Sequence, residues 1–309
     1  MTAPVELAVE LENRPCPLGC PRDDEHVLTG GDRLHNLPGR FAVVKCRKCE
    51  LMRTNPRPSA GSMGFYYPSD YGPYASSRVR ARRWPPWDFG AEALPQLRPG
   101  RLLEIGCASG SFLHRMAQRG WLVEGIEFSS EAAAATAALG YRVQAGQLET
   151  AADPEGPCDL VAGWMVLEHL HDPVASLRKI RAWTHRDSWL AISVPNAGCF
   201  EFHLFGNAWF ALHLPNHLFH FTPASIEKVL RAGGWRIRRI LFQRDLGNTI
   251  ASVGYKLSDR RLLTPLAKIL IGYPWWGGRL NIALLPLSYA LSLMGQTGRM
   301  TIWAQRDDA

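Results

Sequence analysis

The stretch Leu102-Leu103-Glu104-Ile105-Gly106-Cys107-Ala108-Ser109-Gly110-Ser111-Phe112-Leu113 constrains this chain more than any other. It opens with a short apolar run, the mark of a buried parallel strand. It turns through Gly106 and Gly110 with small Ala108 between them, and the pattern then predicts a helix from Ser111 to Arg119, closed by Gly120. A tight strand-to-helix turn without bulky side chains lets backbone N–H groups approach a ligand closely. Glu104, at the strand's end, is placed to accept a hydrogen bond from a cationic ligand.

The next strand, Trp121 to Glu127, follows after a normal interval and ends in an acid. In a doubly wound sheet such an acid binds vicinal ribose hydroxyls. The turn alone is weak evidence, but the turn plus an acid about 20 residues on is much stronger. The alternation continues with a helix from Glu131 to Leu139, a short strand at Tyr141 to Ala145, and strands at Asp159–Trp164, Trp189–Asn196, Trp235–Phe242 and Met300–Ala304. Strands alternating with helices predict an α/β fold: a doubly wound, mostly parallel, seven-stranded Rossmann-like sheet.

Length and charge bound the rest. A chain of 309 residues suggests about two domains and permits a sizeable core. Its net charge is 35 − 28 = +7, which admits an anionic partner and proves none. Part of that excess is local, in Arg78, Arg80, Arg82 and Arg83, where a solvated helix face is the simpler reading. The N-terminus lacks a signal-peptide pattern, so a cytoplasmic protein is expected.

Four of the seven cysteines form two close pairs, Cys16/Cys20 and Cys46/Cys49, separated by 25 residues. This spacing fits a tetrahedral four-cysteine zinc site built from two knuckles. Phe41–Val44 reads as a ribbon strand, and Leu51-Met52 continues its partner. So small a module cannot bury enough surface alone, so the metal would supply its folding energy. Four reduced structural cysteines are the alternative, as is a site in which His26 or His35 replaces a thiolate. The module is assigned to residues 1–57, an aromatic and basic linker and lid to 58–97, and the catalytic domain to 98–309, with insertions at 199–222 and 246–298. Tyrosines of the linker would either close over a cofactor or pack between the two domains.

The turn, G-x-A-x-G with an acid two residues ahead of it, resembles motif I of class I S-adenosylmethionine (SAM) methyltransferases. The order of LLEIGCASG, GIE, GQLE, VLEHLHDP and SVPN is similar to that of the broad group that includes the ubiquinone-biosynthesis methyltransferases, over about residues 98 to 245. The resemblance implies that Glu104, Gly106, Ala108 and Gly110 line the methionine moiety, that Glu127 binds the ribose, and that Gln147 with Leu148 meets the adenine. Gln147 stands where Asp is commoner. Trp164 to His169 would border the sulfonium, with a helix-terminal hydrogen bond as the plainer role for His169.

A four-cysteine module ahead of this core resembles the zinc-containing sugar C-methyltransferases. That resemblance implies a histidine base after strand five, matched by His217, with Asn216 where a Glu would orient it. His220, three residues on, would share a helical turn with His217 and help orient substrate. The insertion around them is rich in aromatics and histidines, which suits an apolar pocket; for any one of these histidines a structural hydrogen bond is the simpler role.

The tail carries two apolar runs, Leu262–Ile271 and Ile282–Met294, each short of the roughly 18 residues of a membrane span. A buried or dimer-forming helical pair is expected. The sharper alternative is a surface in the lipid headgroup region, anchored by Trp275 and Trp276, serving a lipid or lipid-linked acceptor. The expected partner is thus a small-molecule, sugar or lipid-linked substrate, with homodimerisation or peripheral membrane contact as further partners. Two other classes remain: a zinc-ribbon RNA methyltransferase reading phosphates through Lys45, Arg47, Lys48, Arg53 and Arg57, and a non-catalytic SAM- and zinc-binding scaffold.

Overall fold

The structure is a computed structural model that describes residues 9–68, 93–277 and 280–308. The arginine-rich segment at Arg78–Arg83, Trp84 to Trp87 and the second half of the aromatic loop lie outside the described residues. The strands are β1 Leu11–Glu12, β2 Asp24–Gly30, β3 Phe41–Cys46, β4 Met52–Thr54, β5 Arg57–Pro58, β6 Arg101–Ile105, β7 Leu122–Glu127, β8 Arg142–Ala145, β9 Cys158–Trp164, β10 Thr184–Pro195, β11 Phe219–His220, β12 Trp235–Phe242 and β13 Arg299–Arg306. The α-helices are α1 Ser111–Ala117, α2 Ser130–Ala137, α3 Pro173–Ala182, α4 Phe200–Phe205, α5 Pro223–Ala232, α6 Gly247–Asp259, α7 Thr264–Ile271, α8 Tyr273–Trp276 and α9 Leu285–Leu293.

Seven strands form one sheet in the order β12-β13-β10-β9-β6-β7-β8. β8, β7, β6, β9 and β10 run parallel, and β13 is antiparallel to both neighbours. The expected doubly wound α/β architecture is therefore present. Its central strands are apolar on both faces because helices cover both. Leu103, Ile105, Val161 and Ile192 join one buried cluster, whereas Leu102, Leu160, Ala162 and Ala191 join another with Phe112, Leu113 and Met116 of α1. The chain order reverses between β6 and β9, so the carboxyl ends of those strands frame the crevice where such sheets bind ligands.

The N-terminal segment is built into this core. Its antiparallel sheet runs β11-β4-β3-β2, so its edge strand comes from the insertion after β10, where Phe219 pairs with Arg53 and His220 with Met52. Cys16, Val43, Leu51 and Tyr66 belong to the same buried cluster as β9 and β10. Residue 57 sits inside this contact zone: Arg57 donates to Glu12 and to the His171 carbonyl.

Candidate active site

The β6–α1 turn is held in shape by hydrogen bonds that the local sequence supplies. The Ala108 and Ser129 N–H groups each donate to the Glu127 carboxylate at 2.8 Å, and Thr136 Oγ1 donates to the Ala108 carbonyl at 2.9 Å. Gly106 and Gly110 have φ of 71° and 69°. A Cβ on Gly106 would meet Val166 Cγ2 at 2.6 Å, and one on Gly110 would meet Thr136 Cγ2 at 2.5 Å, so neither position tolerates a side chain. Burial raises the Glu127 pKa, while the backbone donors of Ser129, Ala108 and Phe128 oppose that rise.

Beside this turn opens a cavity of about 830 Å³. One half is walled by Gly106, Ala108, Glu127, Gln147, Leu148 and the segment Trp164–Val166; the other by Met63, Tyr67, His169, Phe210, His213 and His217. Three non-glycine residues on this wall, Ala108, Met165 and His213, have φ of 43°, 60° and 40°. Backbone held in that region costs about 1–3 kcal/mol per residue and is concentrated at functional sites.

The cavity gathers most of the residues singled out from the sequence. Gly106, Ala108, Glu127, Gln147, Leu148, His169 and His217 all reach it. Glu104 and Gly110 do not. Glu104 lies beneath the turn, 2% exposed, with Oε2 unpartnered, and burial together with the Glu127 charge pushes its pKa well up. Gly110 caps the start of α1.

His220 requires a correction. Phe219–His220 is a strand and not a helical turn, so the two histidines do not share a helix face. Thr54 Oγ1 donates to the His217 carbonyl at 2.8 Å and accepts from His220 Nε2 at 3.2 Å. His220 is thus a buried anchor between the insertion and β4, away from the cavity wall.

His217 is different. Its Nδ1–H donates to the Ala211 carbonyl at 2.9 Å, so its Nε2 carries the lone pair. Nε2 sits 3.9 Å from Glu168 Oε1. Glu168 is fully buried, both its carboxylate oxygens lack a hydrogen-bond partner among the described residues, and burial pushes its pKa up to about 8. His169, His213 and His220 add positive repulsion to the burial that holds the His217 pKa far below its usual value. His169 completes the group: its ring centroid lies 4.7 Å from that of His217, and its Nδ1 shares a 2.8 Å hydrogen bond with Tyr67 OH. Burial, with His213 adding to it, lowers the His169 pKa to about 3. Ligand-type atoms of Glu168, His169 and His217 all lie within 4.8 Å of one another.

Glu168 was visible in the VLEHLHDP motif, but nothing in a linear pattern pairs it with His217. Asn216, expected to stand where the orienting carboxylate belongs, instead donates to the Tyr66 carbonyl at 2.7 Å. The carboxylate comes from the turn after β9, which Leu218 N–H fixes by donating to the Glu168 carbonyl at 2.8 Å. Phe210 of the aromatic insertion, Trp275, expected as an interface anchor, and Arg299, which carried no sequence signal, also line the cavity.

The four cysteines converge as the spacing predicts. Cys16, Cys20, Cys46 and Cys49 place their Sγ atoms within 4.8 Å of one another, Cys16 and Cys49 at 3.4 Å. His26 is turned away, bonded to Thr29 Oγ1 at 2.8 Å, and His35 lines the cavity instead. Four of the five basic residues of the RNA reading are engaged by acids, Lys45 with Glu25, Arg47 with Asp23, Arg53 with Asp24 and Arg57 with Glu12, and Lys48 is not among them.

Known proteins similar to this chain include methyltransferases. The chain is 27% identical over 218 residues to a ubiquinone biosynthesis O-methyltransferase of Paraburkholderia xenovorans, covering 59% of this chain and 93% of that one. It is 26% identical over 210 residues to the enzyme of the same description from Xanthomonas oryzae pv. oryzae, covering 58% and 84%. Among solved structures, an S-adenosylmethionine-dependent methyltransferase from Mesorhizobium loti superposes with a TM-score of 0.44 at 15% identity, covering 69% of this chain and 94% of that one. A family model described as a methyltransferase domain matches residues 77–240, more than half of the chain. The chain belongs to that methyltransferase family, and it is a SAM-dependent methyltransferase.

Proposed function

We propose that the cavity is a methyl-transfer chamber in which His217, backed by Glu168, accepts the proton of an apolar acceptor. The observation that carries this reading is that His217, with buried Glu168 behind it, shares one cavity with Gly106 and Ala108 of the β6–α1 turn. Gly106, Ala108, Gln147 and Leu148 would hold SAM, with Glu127 on its ribose hydroxyls. SAM supplies a sulfonium methyl, an electrophile that needs an aligned nucleophile.

The other half of the cavity would take the acceptor. It is walled by Met63, Phe210 and Trp275, which favour an apolar body over a charged one. His217 Nε2 would take the acceptor's proton as its oxygen or carbon bonds to the methyl group and the carbon–sulfur bond breaks. The positive imidazolium then formed would be stabilised by an ionised Glu168. A cationic ligand in the cavity also favours that ionised form, because an opposite charge within a few ångströms lowers a carboxyl pKa.

A hydroxyl acceptor is supported by the O-methyltransferase relatives. Carbon methylation of a nucleotide-linked sugar is the second reading, supported by the four-cysteine module and by the place of His217 after the fifth strand of the parallel order. Incubation with methyl-labelled SAM and both the organic and the aqueous extracts of the source cells tests both. Label moving into an alkali-stable methyl ether supports the first, label on carbon supports the second, and no transfer to any extract removes both.

The cysteine cluster fits zinc. Tetrahedral Zn²⁺ with Zn–S of about 2.3 Å needs sulfurs about 3.8 Å apart, and this cluster spans that range. Burial raises the Cys20 and Cys49 pKa values, whereas at Cys46 the same burial is outweighed by backbone and thiol hydrogen bonds, which lower the pKa. Four protein thiolates leave no open position, so the metal's role would be structural.

A further inference from the structure

From Arg260 to Met294, the span that holds α7–α9, the sequence contains four basic residues and no Asp or Glu, a local charge of 4 − 0 = +4. The helices of this segment are arranged against the usual pattern. A surface helix ordinarily turns its apolar stripe inward. Here α7 buries only Ala267, α8 only Tyr273 and α9 only Ser288. The expected helical pair is therefore not buried within the chain, which leaves its dimer-forming alternative. Of the 17 large apolar side chains exposed among the described residues, 11 fall between 262 and 294, with Ile269 54%, Trp275 59%, Leu287 56% and Leu293 72% exposed. So concentrated an exposed apolar surface marks an interaction site.

We propose that α7–α9 dock on the surface of an anionic lipid bilayer, with the mouth of the methyl-transfer cavity facing the headgroups. Three observations select this occupant. First, the charge is of one sign: Arg260, Arg261 and Lys268 are exposed beside the apolar face with no acid between them. Polybasic segments are drawn to anionic headgroups in this way. Second, the polar–apolar boundary is marked by Trp275, Trp276 and Tyr289, the last with the Arg244 guanidinium 4.6 Å over its ring. Aromatic rings of this kind settle at the headgroup level. No helix among the described residues is long and apolar enough to cross a membrane, so the segment would lie on the surface. Third, the face is continuous with the cavity: Trp275 packs edge-on against Phe210 with ring centroids 5.7 Å apart, and both line it. An amphiphile held in the bilayer would reach the acceptor half without crossing water. That consequence rests on the methyl-transfer reading above, whereas the docking does not.

Purified full-length protein is sedimented with vesicles of phosphatidylcholine alone and of equal parts phosphatidylcholine and phosphatidylglycerol. Binding to the anionic vesicles, weakened by added salt, is the expected result. Lys268→Glu should weaken that binding by roughly fivefold or more, the effect of about one basic residue at an anionic surface. Leu293→Glu should abolish it. Neither residue touches the cavity, so both variants should bind SAM with wild-type affinity in calorimetry, which shows that the core is folded. Wild-type protein that ignores both vesicles and sediments as a monomer overturns the proposal. So does a wild-type dimer that ignores vesicles and is dissociated by Leu293→Glu, since the face would then join two copies of this chain. Equal, salt-insensitive binding to both vesicles overturns the anionic specificity. Docking that fails while methyl transfer to soluble acceptors persists leaves the methyl-transfer reading intact, and the converse result leaves docking intact.

Discussion

Glu168→Gln separates the role of this carboxyl in stability from its role in chemistry. The carboxyl is fully buried, lacks a hydrogen-bond partner on either oxygen among the described residues, and has its pKa pushed from the ordinary 4.5 to about 8 by burial. Between those values the folded chain holds a proton that the unfolded chain has released. The stability this group contributes is therefore complete below pH 4.5 and is lost progressively as pH rises toward 8. At 1.36 kcal/mol per pKa unit, the loss reaches about 3 kcal/mol at pH 7. Gln has nearly the same shape and does not titrate, so the variant escapes that loss.

In cofactor-free protein, Glu168→Gln should leave stability near wild type at pH 4.5 and raise it with each pH unit above. At pH 7 the gain should be about 3 kcal/mol, or about 5 °C in Tm for a chain of this size. Methyl transfer should fall in the same variant, the usual exchange between a strained functional group and stability. Differential scanning calorimetry of both proteins from pH 4.5 to pH 8, in parallel buffers, reads the difference directly, because every other titrating group cancels. A wild type and variant with the same pH dependence would refute the reasoning. That result would mean Glu168 is ionised in the folded state, as it would be if a cation sat among Glu168, His169 and His217.

Glu127→Gln should weaken SAM binding by about 2 kcal/mol, roughly thirtyfold, because a charged acceptor for the ribose hydroxyls is lost; unchanged affinity in calorimetry would remove that assignment. One zinc should accompany each freshly purified chain, and elemental analysis without zinc would sink the cysteine site. Because the module shares its sheet with β11 and its cluster with the main core, Cys46→Ser should lower the melting of the whole chain in one transition. A separate early transition would show that the module folds alone. His220→Ala should cost about 1–3 kcal/mol of stability through the lost buried hydrogen bond to Thr54, yet leave turnover close to wild type, which a large drop in kcat would contradict.

The parts of this molecule legible in its sequence are those fixed by neighbours in the chain. The β6 strand, its glycine turn and the Glu127 that follows are set by local apolar runs and by backbone that only small residues allow. The cysteine pairs declare themselves by spacing. The Glu168–His217 pair does not, because it joins residues 49 apart through the fold, and Asn216 occupied the place where a carboxylate was expected. The offset of three between His217 and His220 suggested a helical turn. Pairing with β4, from a segment more than 160 residues away, made a strand instead. The tail misleads for a related reason: apolar helical runs report hydrophobicity but not which side faces the core, and here Ala267 and Ser288 face inward while Ile269 and Leu293 face out.

The central claim is that His217 takes the acceptor's proton. It is tested most directly by the rate at which His217→Ala moves labelled methyl from SAM to the acceptor recovered from the source-cell extract, with SAM affinity measured on the same preparation. The account predicts kcat lower by about two to four orders of magnitude, the usual span for general acid–base catalysis, with SAM affinity nearly unchanged. Near-normal turnover at intact SAM affinity would contradict it and leave alignment of an already acidic nucleophile as the whole mechanism.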